Sequence, residues 1–170
     1  TVELKIAHFV TPKHSVSQWI ERWAKDLEAR SNGELSFKIF PGSQLGPPPK
    51  YHGLVKKGQV DIAWFAHGFT PGVFPLTELS NLPYLVASAE AGTKVLNNPT
   101  LRAKYLDKEH KGLRPLILMT HQPGNINMAR EPVRSLADLK GKRVRFASAT
   151  IKDFMAALGA TPVGLPPTQI

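Results

Sequence analysis

The sequence contains no cysteine, which excludes disulfides, thiolate metal sites and a thiol nucleophile. Long apolar runs are also missing. Stretches such as Leu116 to Met119 fall far short of the roughly 20 residues needed for a membrane-spanning helix. Acidic residues are scarce, 13 Asp+Glu against 22 Lys+Arg. They fall mostly on helix surfaces, against the paired carboxylates of glycoside hydrolysis. The six histidines, His8, His14, His52, His67, His110 and His121, have no HxxxH or other metal-ligand spacing. No Gly-x-Ser-x-Gly elbow and no glycine-rich phosphate loop occurs. These absences argue against an enzyme and against a metal or organic cofactor.

What is present is ordinary for a folded α/β protein. The 170 residues are 42% hydrophobic and 21% charged, which is globular usage. Net charge is +9 and unevenly spread: residues 1–100 carry 10 basic and 8 acidic side chains, residues 101–170 carry 12 and 5. A basic excess suits nucleic acid, a membrane surface or small anions. The aromatics are not interleaved with the basic residues, as base stacking would want. A basic α/β module that binds nucleic acid is therefore kept only as the alternative reading. The first residue is Thr1 rather than Met, so a processed or trimmed chain with its targeting segment removed is expected.

Strand and helix patterns alternate. Val2, Leu4 and Ile6 predict a strand. Ser15, with Gln18 three residues on, predicts a capped helix carrying Val16, Trp19, Ile20, Trp23 and Leu27, which ends at Asn32-Gly33. Leu35, Phe37 and Ile39 predict a second strand, a helix should start near Pro49, and Val60, Ile62 and Trp64 mark a third strand. Residues 66–83 read as a long ordered loop. Ser88 and Asn98-Pro99 open two helices. Leu113 to Thr120 and Asn125 to Arg130 read as strands, Ser135 caps a short turn, and Arg143 to Ala147 alternates as a strand. Thr150 is expected to cap a helix ending at Gly159, before a last strand from Thr161 to Leu165. The run 166–170 looks like a strand exit and helix cap. This alternation predicts α/β with a mostly parallel sheet.

In open α/β folds ligands bind beyond the carboxyl ends of the strands. The candidates at those ends are His8 and Phe9, then Ala66, His67 and Phe69, then His121 and Gln122, then Arg145 to Ser148. Arg145 shares a strand face with Arg143. Its guanidinium can fork onto a carboxylate through two parallel charge-assisted hydrogen bonds; a solvated sheet edge is the competing reading. His67 is either a polar handle for a ligand oxygen or a loop histidine bonded to backbone. His8 is either a ligand contact or a core histidine.

Several segments, in order, carry a resemblance. They are Leu4-Lys5-Ile6-Ala7-His8, Phe40-Pro41-Gly42-Ser43-Gln44-Leu45-Gly46, Lys57-Gly58-Gln59-Val60-Asp61-Ile62-Ala63, Pro71-Gly72-Val73-Phe74-Pro75-Leu76 and Leu82-Pro83-Tyr84-Leu85. Most specific is Leu136-Ala137-Asp138-Leu139-Lys140-Gly141-Lys142-Arg143-Val144-Arg145, followed by Ala157-Leu158-Gly159-Ala160-Thr161-Pro162-Val163. Together they resemble the N-terminal half of the solute-binding proteins of TRAP transporters, the DctP-type periplasmic subunit. The resemblance implies a two-lobed periplasmic-binding-protein-like fold, here truncated, with lobe I over 1–121 and the beginning of lobe II over 122–170. It implies an exported, periplasmic protein that captures a small organic acid and delivers it to TRAP membrane subunits, closing at a hinge near Thr120 to Asn125. Arg145 falls on the family's carboxylate-clamping arginine; Gln122, Asn125, Ser148 and His67 would assist. The stretch Gln122-Pro123-Gly124-Asn125 lacks a further arginine that many members carry. A monocarboxylate with a neutral or aromatic body is thus expected over a dianionic sugar acid, with Phe9, Phe65 and Phe69 as an apolar wall.

Overall fold

The computed structural model describes residues 1–166 and 169; most of the strand exit and cap expected over 166–170 lies outside the described residues. The chain divides into two compact units, Thr1–Thr70 and Pro71–Ile170. That division is one of internal packing and differs from the lobe boundary expected at residue 121.

Unit 1 is a three-stranded parallel sheet in the order β2-β1-β3, with β1 Val2–His8, β2 Leu35–Phe40 and β3 Ile62–Trp64. The register sets Ala7 against Phe40 and Ala63, and His8 against Trp64. The period of two along a strand decides what each face buries. Ile6 packs with Ile20 and Ala24 of α1 (Ser15–Arg30), flanked by Val16, Trp23, Phe37 and Ile62. Ala7 packs on the other face with Val60 and with Tyr51 of α2 (Tyr51–Lys56). The central strand is sandwiched, as right-handed parallel crossovers require.

Two expectations for α1 need correction. Its N-cap is His14, whose Nδ1 accepts the N–H of Val16 at 3.2 Å; Ser15 is the first helical residue, and a neutral imidazole nitrogen serves as the acceptor that a hydroxyl was expected to provide. Trp19, expected in the core, is 42% exposed and stacks on Trp23 at 6.3 Å, while Trp23 reaches Phe37.

Unit 2 begins with a short helix, α3 (Pro75–Glu78). Its first turn is held by Glu109, whose carboxylate accepts the N–H groups of Leu76 and Thr77, each at 2.8 Å, and the Thr77 hydroxyl. An anion at the positive end of a helix satisfies donors that have no intrahelical partner. Glu109 in turn raises the Glu78 pKa, after burial as the larger cause. Helix α4 (Ala89–Leu96) is capped by Ser88, as expected. The helical run α5 spans residues 99–109, with a π turn at Arg102–Leu106.

Leu113 to Thr120 and Asn125 to Arg130 were expected as strands, and neither forms one. The first is irregular, with a bend at Leu116, and has no neighbouring strand among the described residues. Side chains of α4 and of its C-cap residue Asn97 satisfy its backbone instead. The Asn97 amide accepts from Leu118 N at 3.1 Å and donates to Leu118 O, and Thr93 Oγ1 accepts from Thr120 N. Leu118 alone of the run is buried, against Leu96 and Leu106, whereas Leu116 is 60% exposed. Apolar composition was read as a buried strand, but a strand needs a partner for its ladder.

The last part of unit 2 is a βαβ unit: β4 (Arg143–Phe146), α7 (Ala149–Ala157) and β5 (Thr161–Gly164), preceded by the turn helix α6 (Leu136–Leu139). β4 and β5 pair in parallel, with Arg145 beside Val163. No helix among the described residues is long and apolar enough to cross a membrane.

Candidate functional site

The entry to β4 is fixed by the sequence Ser135 to Gly141. Asp138 Oδ2 accepts the N–H groups of Arg134 and Ser135, each at 2.9 Å. These bonds hold its pKa below the ordinary carboxylate value. Gly141 then turns with φ +73°, in the left-handed region, which glycine occupies without a Cβ penalty. Its N–H bonds Gly159 O at 2.9 Å, tying the start of β4 to the end of α7.

This places Arg143 in solvent and Arg145 half-buried on the same strand. Arg145 Nε donates to the carbonyl of Leu165 at 3.1 Å. One edge of the guanidinium is thereby pinned to the exit of β5. Its Nη groups make no hydrogen bond among the described residues, and no carboxylate among them pairs with it. Burial lowers its pKa from the ordinary value, yet an arginine stays protonated throughout the physiological range. The result is a half-buried, oriented cation without a carboxylate partner among the described residues.

Ser148 is the N-cap of α7, and its Oγ accepts from Ile151 N at 3.3 Å. Thr150, expected as the cap, lies inside the helix. Ser148 is buried, and its hydroxyl proton remains available for donation. Arg145 on β4 and Ser148 at the N-cap of α7 thus lie on consecutive elements of one βαβ unit. Gln122 and Asn125 lie exposed in the irregular run after Thr120. No side-chain hydrogen bond joins either of them to that junction among the described residues.

In unit 1, the carboxyl ends of β1 and β3 gather His8, Phe9, Trp64, His67 and Phe69. Phe9 stacks on Trp64 with centroids 5.0 Å apart and planes 15° from parallel. Phe69, in the 3-10 turn His67–Phe69, meets Phe9 edge-on at 5.1 Å. His67 sits beside Phe65 at 5.9 Å. These rings are half-buried. His8 is fully buried: its side chain shares the Ile6 face, toward α1, and its Nε2 bonds Ser17 Oγ at 3.3 Å. Of the two readings of His8, the structure places it in the core of unit 1.

Two structural features around the candidate residues escaped the sequence. Tyr51, fully buried, donates its hydroxyl to His8 O at 3.2 Å, and Ser43 N approaches the same carbonyl at 3.3 Å. Gly42 N donates to Val10 O at 2.8 Å. The backbone on both sides of Phe9 is therefore held. The other feature is the Leu165 carbonyl that pins Arg145, which no side-chain identity could signal.

Burial lowers the His8 pKa, opposed by the Val10 backbone and Glu21, with His14 adding to the lowering. Its Nδ1 lies near Val10 but makes no hydrogen bond of ordinary geometry. The unfolded chain therefore binds a proton here more readily than the folded one. Stability from neutral His8 is present above the unfolded pKa of about 6.5 and is lost as pH falls below it. We expect the urea midpoint to drop between pH 7 and pH 5, and His8→Asn to flatten that drop while lowering the midpoint at pH 7. An unchanged slope in His8→Asn would remove this account.

A family model described as DctP, bacterial extracellular solute-binding protein family 7, matches residues 6–170. A marine metagenome TRAP solute-binding protein, specific for aromatic acid ligands and solved with metahydroxyphenylacetate, is 35% identical. It aligns with a TM-score of 0.92 over 98% of this chain and 52% of that one. A TRAP solute-binding protein from Rhodoferax ferrireducens T118, solved with copurified benzoate, is 32% identical with a TM-score of 0.90 over 98% and 52%. The 2,3-diketo-L-gulonate-binding periplasmic protein YiaO of Escherichia coli K12 is 27% identical over 85% of this chain and 44% of that protein. The chain spans about half the length of the relatives it matches. With the two-lobed TRAP binding-protein architecture matched over that half and the family model spanning nearly every residue, the chain belongs to the DctP family of bacterial extracellular solute-binding proteins.

Proposed function

We propose that this chain acts in a periplasmic TRAP binding protein that captures an organic monocarboxylate on Arg145 and delivers it to the membrane subunits, without catalysis. The observation that carries the reading is the Arg145 guanidinium, fixed through Nε to Leu165 O and lacking a carboxylate partner among the described residues. A preoriented fork repays its desolvation when a carboxylate supplies two parallel bonds. Ser148, Gln122 and Asn125 are the neutral donors assigned to the acid. The lobe division goes with this reading: lobe I to residue 121, lobe II from 122.

The test is a thermal-shift screen of the full-length protein against carboxylic acids, with their amides as controls. Binding to the native state raises the melting temperature by mass action, about 2.7 kcal/mol of stabilisation at 100 times Kd. Monocarboxylates should shift it and their amides should not. Equal shifts with amides, or none with any acid, would remove the proposal.

A further inference from the structure

The bond that pins Arg145 depends on how the carboxyl ends of β4 and β5 approach each other. Arg145 Nε donates to Leu165 O at 3.1 Å, one residue past the end of β5. The ladder pairs Arg145 with Val163 and Phe146 with Gly164. Side chains alternate along a strand, so Phe146 and Gly164 share one face, and Arg145 and Val163 the other. The φ of Gly164 is not positive, so no backbone strain calls for glycine there. What the position lacks is room. A Cβ would stand 3.3 Å from Phe146 Cζ and 3.6 Å from its Cε1, and glycine inside a strand often marks such a close approach. This contact adjoins both ends of the pin, since Phe146 follows Arg145 and Gly164 precedes Leu165.

We infer that Phe146 and Gly164 are positioning residues for the Arg145 guanidinium: the ring lying against the bare Gly164 sets the β5 exit where its carbonyl meets Nε. This deepens the carboxylate reading of Arg145 and rests on it. A guanidinium can offer a carboxylate two parallel bonds either from its two Nη groups or from Nε with one Nη. With Nε committed to Leu165 O, the fork that remains is the pair of Nη groups, and the acid is taken end-on. A methyl at position 164 would displace the Phe146 ring or the β5 exit by a few tenths of an ångström. That displacement weakens the bond to Nε and lets the guanidinium turn. Its orientation must then be fixed at the moment of binding, which costs affinity.

Hydrogen exchange of the Arg145 Nε–H in the full-length protein, followed by proton–nitrogen NMR, reads the pin without any ligand. The signal is identified by its loss in Arg145→Lys. Gly164→Ala should speed this exchange about fivefold, the protection that one hydrogen bond gives. Adding Phe146→Leu, which removes the ring carbons the methyl would meet, should restore the protection. Isothermal titration with benzoate should show binding about fivefold weaker in Gly164→Ala and close to wild type in the double variant. A merely structural role would lower the melting temperature and leave the Nε–H exchange unchanged relative to the β4 backbone amides. Unchanged Nε–H exchange in Gly164→Ala, or unchanged benzoate affinity there when Arg145→Ala has lost it, would overturn the positioning role and leave the carboxylate clamp standing. Benzoate binding equally to wild type and Arg145→Ala, or to neither, would overturn the clamp and this inference with it.

Discussion

Arg145→Ala is expected to abolish measurable acid binding while the melting temperature of the unliganded protein stays within a few degrees of wild type. The expected loss is large because the ligand carboxylate would be left desolvated without its partner. Truncating one member of a buried charge pair costs about 2–5 kcal/mol, roughly 30- to 4,000-fold in Kd. The fold should tolerate the change because no acidic side chain among the described residues depends on this guanidinium. Only the bond to Leu165 O is lost, and a single hydrogen bond is worth about 1 kcal/mol net. Arg145→Lys is the sharper variant. It keeps the charge but replaces a planar fork by a point charge on a flexible stem. If geometry matters beyond charge, it should recover only a small part of the affinity. Titration of both variants with the best acid of the screen decides it; wild-type affinity in Arg145→Ala would end the clamp reading.

Gly92→Ala should lower stability, against the usual gain of alanine over glycine in a helix. Gly92 is buried in the middle of α4. A Cβ there would stand 2.6 Å from Val86 Cγ1 and 2.9 Å from Thr120 Cγ2, closer than real Cβ contacts. The helix propensity gain is about 0.5–1 kcal/mol, whereas overpacking costs about 1–3 kcal/mol, so the clash wins. Thr120 cannot step aside freely. Its hydroxyl donates to Ala89 O and its N–H to Thr93 Oγ1, each at 3.1 Å. Those bonds are part of what holds the unpaired run 113–120 on α4. At about 2–4 °C per kcal/mol for a chain of this size, the expected fall in melting temperature is several degrees. Val86→Ala in the Gly92→Ala background should recover part of it by removing one of the two neighbours. A Gly92→Ala protein as stable as wild type would show that this contact is loose.

The residues at the β1 and β3 strand ends and around β4 were legible because their signals are local. Alternation sets Ile6 and Ala7 on opposite faces, and the Ser135 to Gly141 turn announces itself by a cap residue, an acidic third position and a glycine. Arg145 was legible as a strand-end arginine within a run that resembles a known family. Local chemistry can also mislead by a residue or two, as at His14 and Ser148, which cap helices where Ser15 and Thr150 were expected. Several residues before a helix can accept its first free N–H groups, and the backbone angles choose among them.

By itself the sequence determined the parallel βαβ order, the absence of thiol chemistry, the excess of positive charge and the family. Only the tertiary structure decided which strand patterns find partners. Leu113 to Thr120 has the composition of a strand, yet its hydrogen bonds go to Asn97 and Thr93, because a ladder is made by a neighbour and composition does not say where the neighbour is. The same holds for the site. That Arg145 is pinned by a backbone carbonyl twenty residues away and lacks a carboxylate partner among the described residues, and that Phe9 lies flat on Trp64, are facts of three-dimensional juxtaposition.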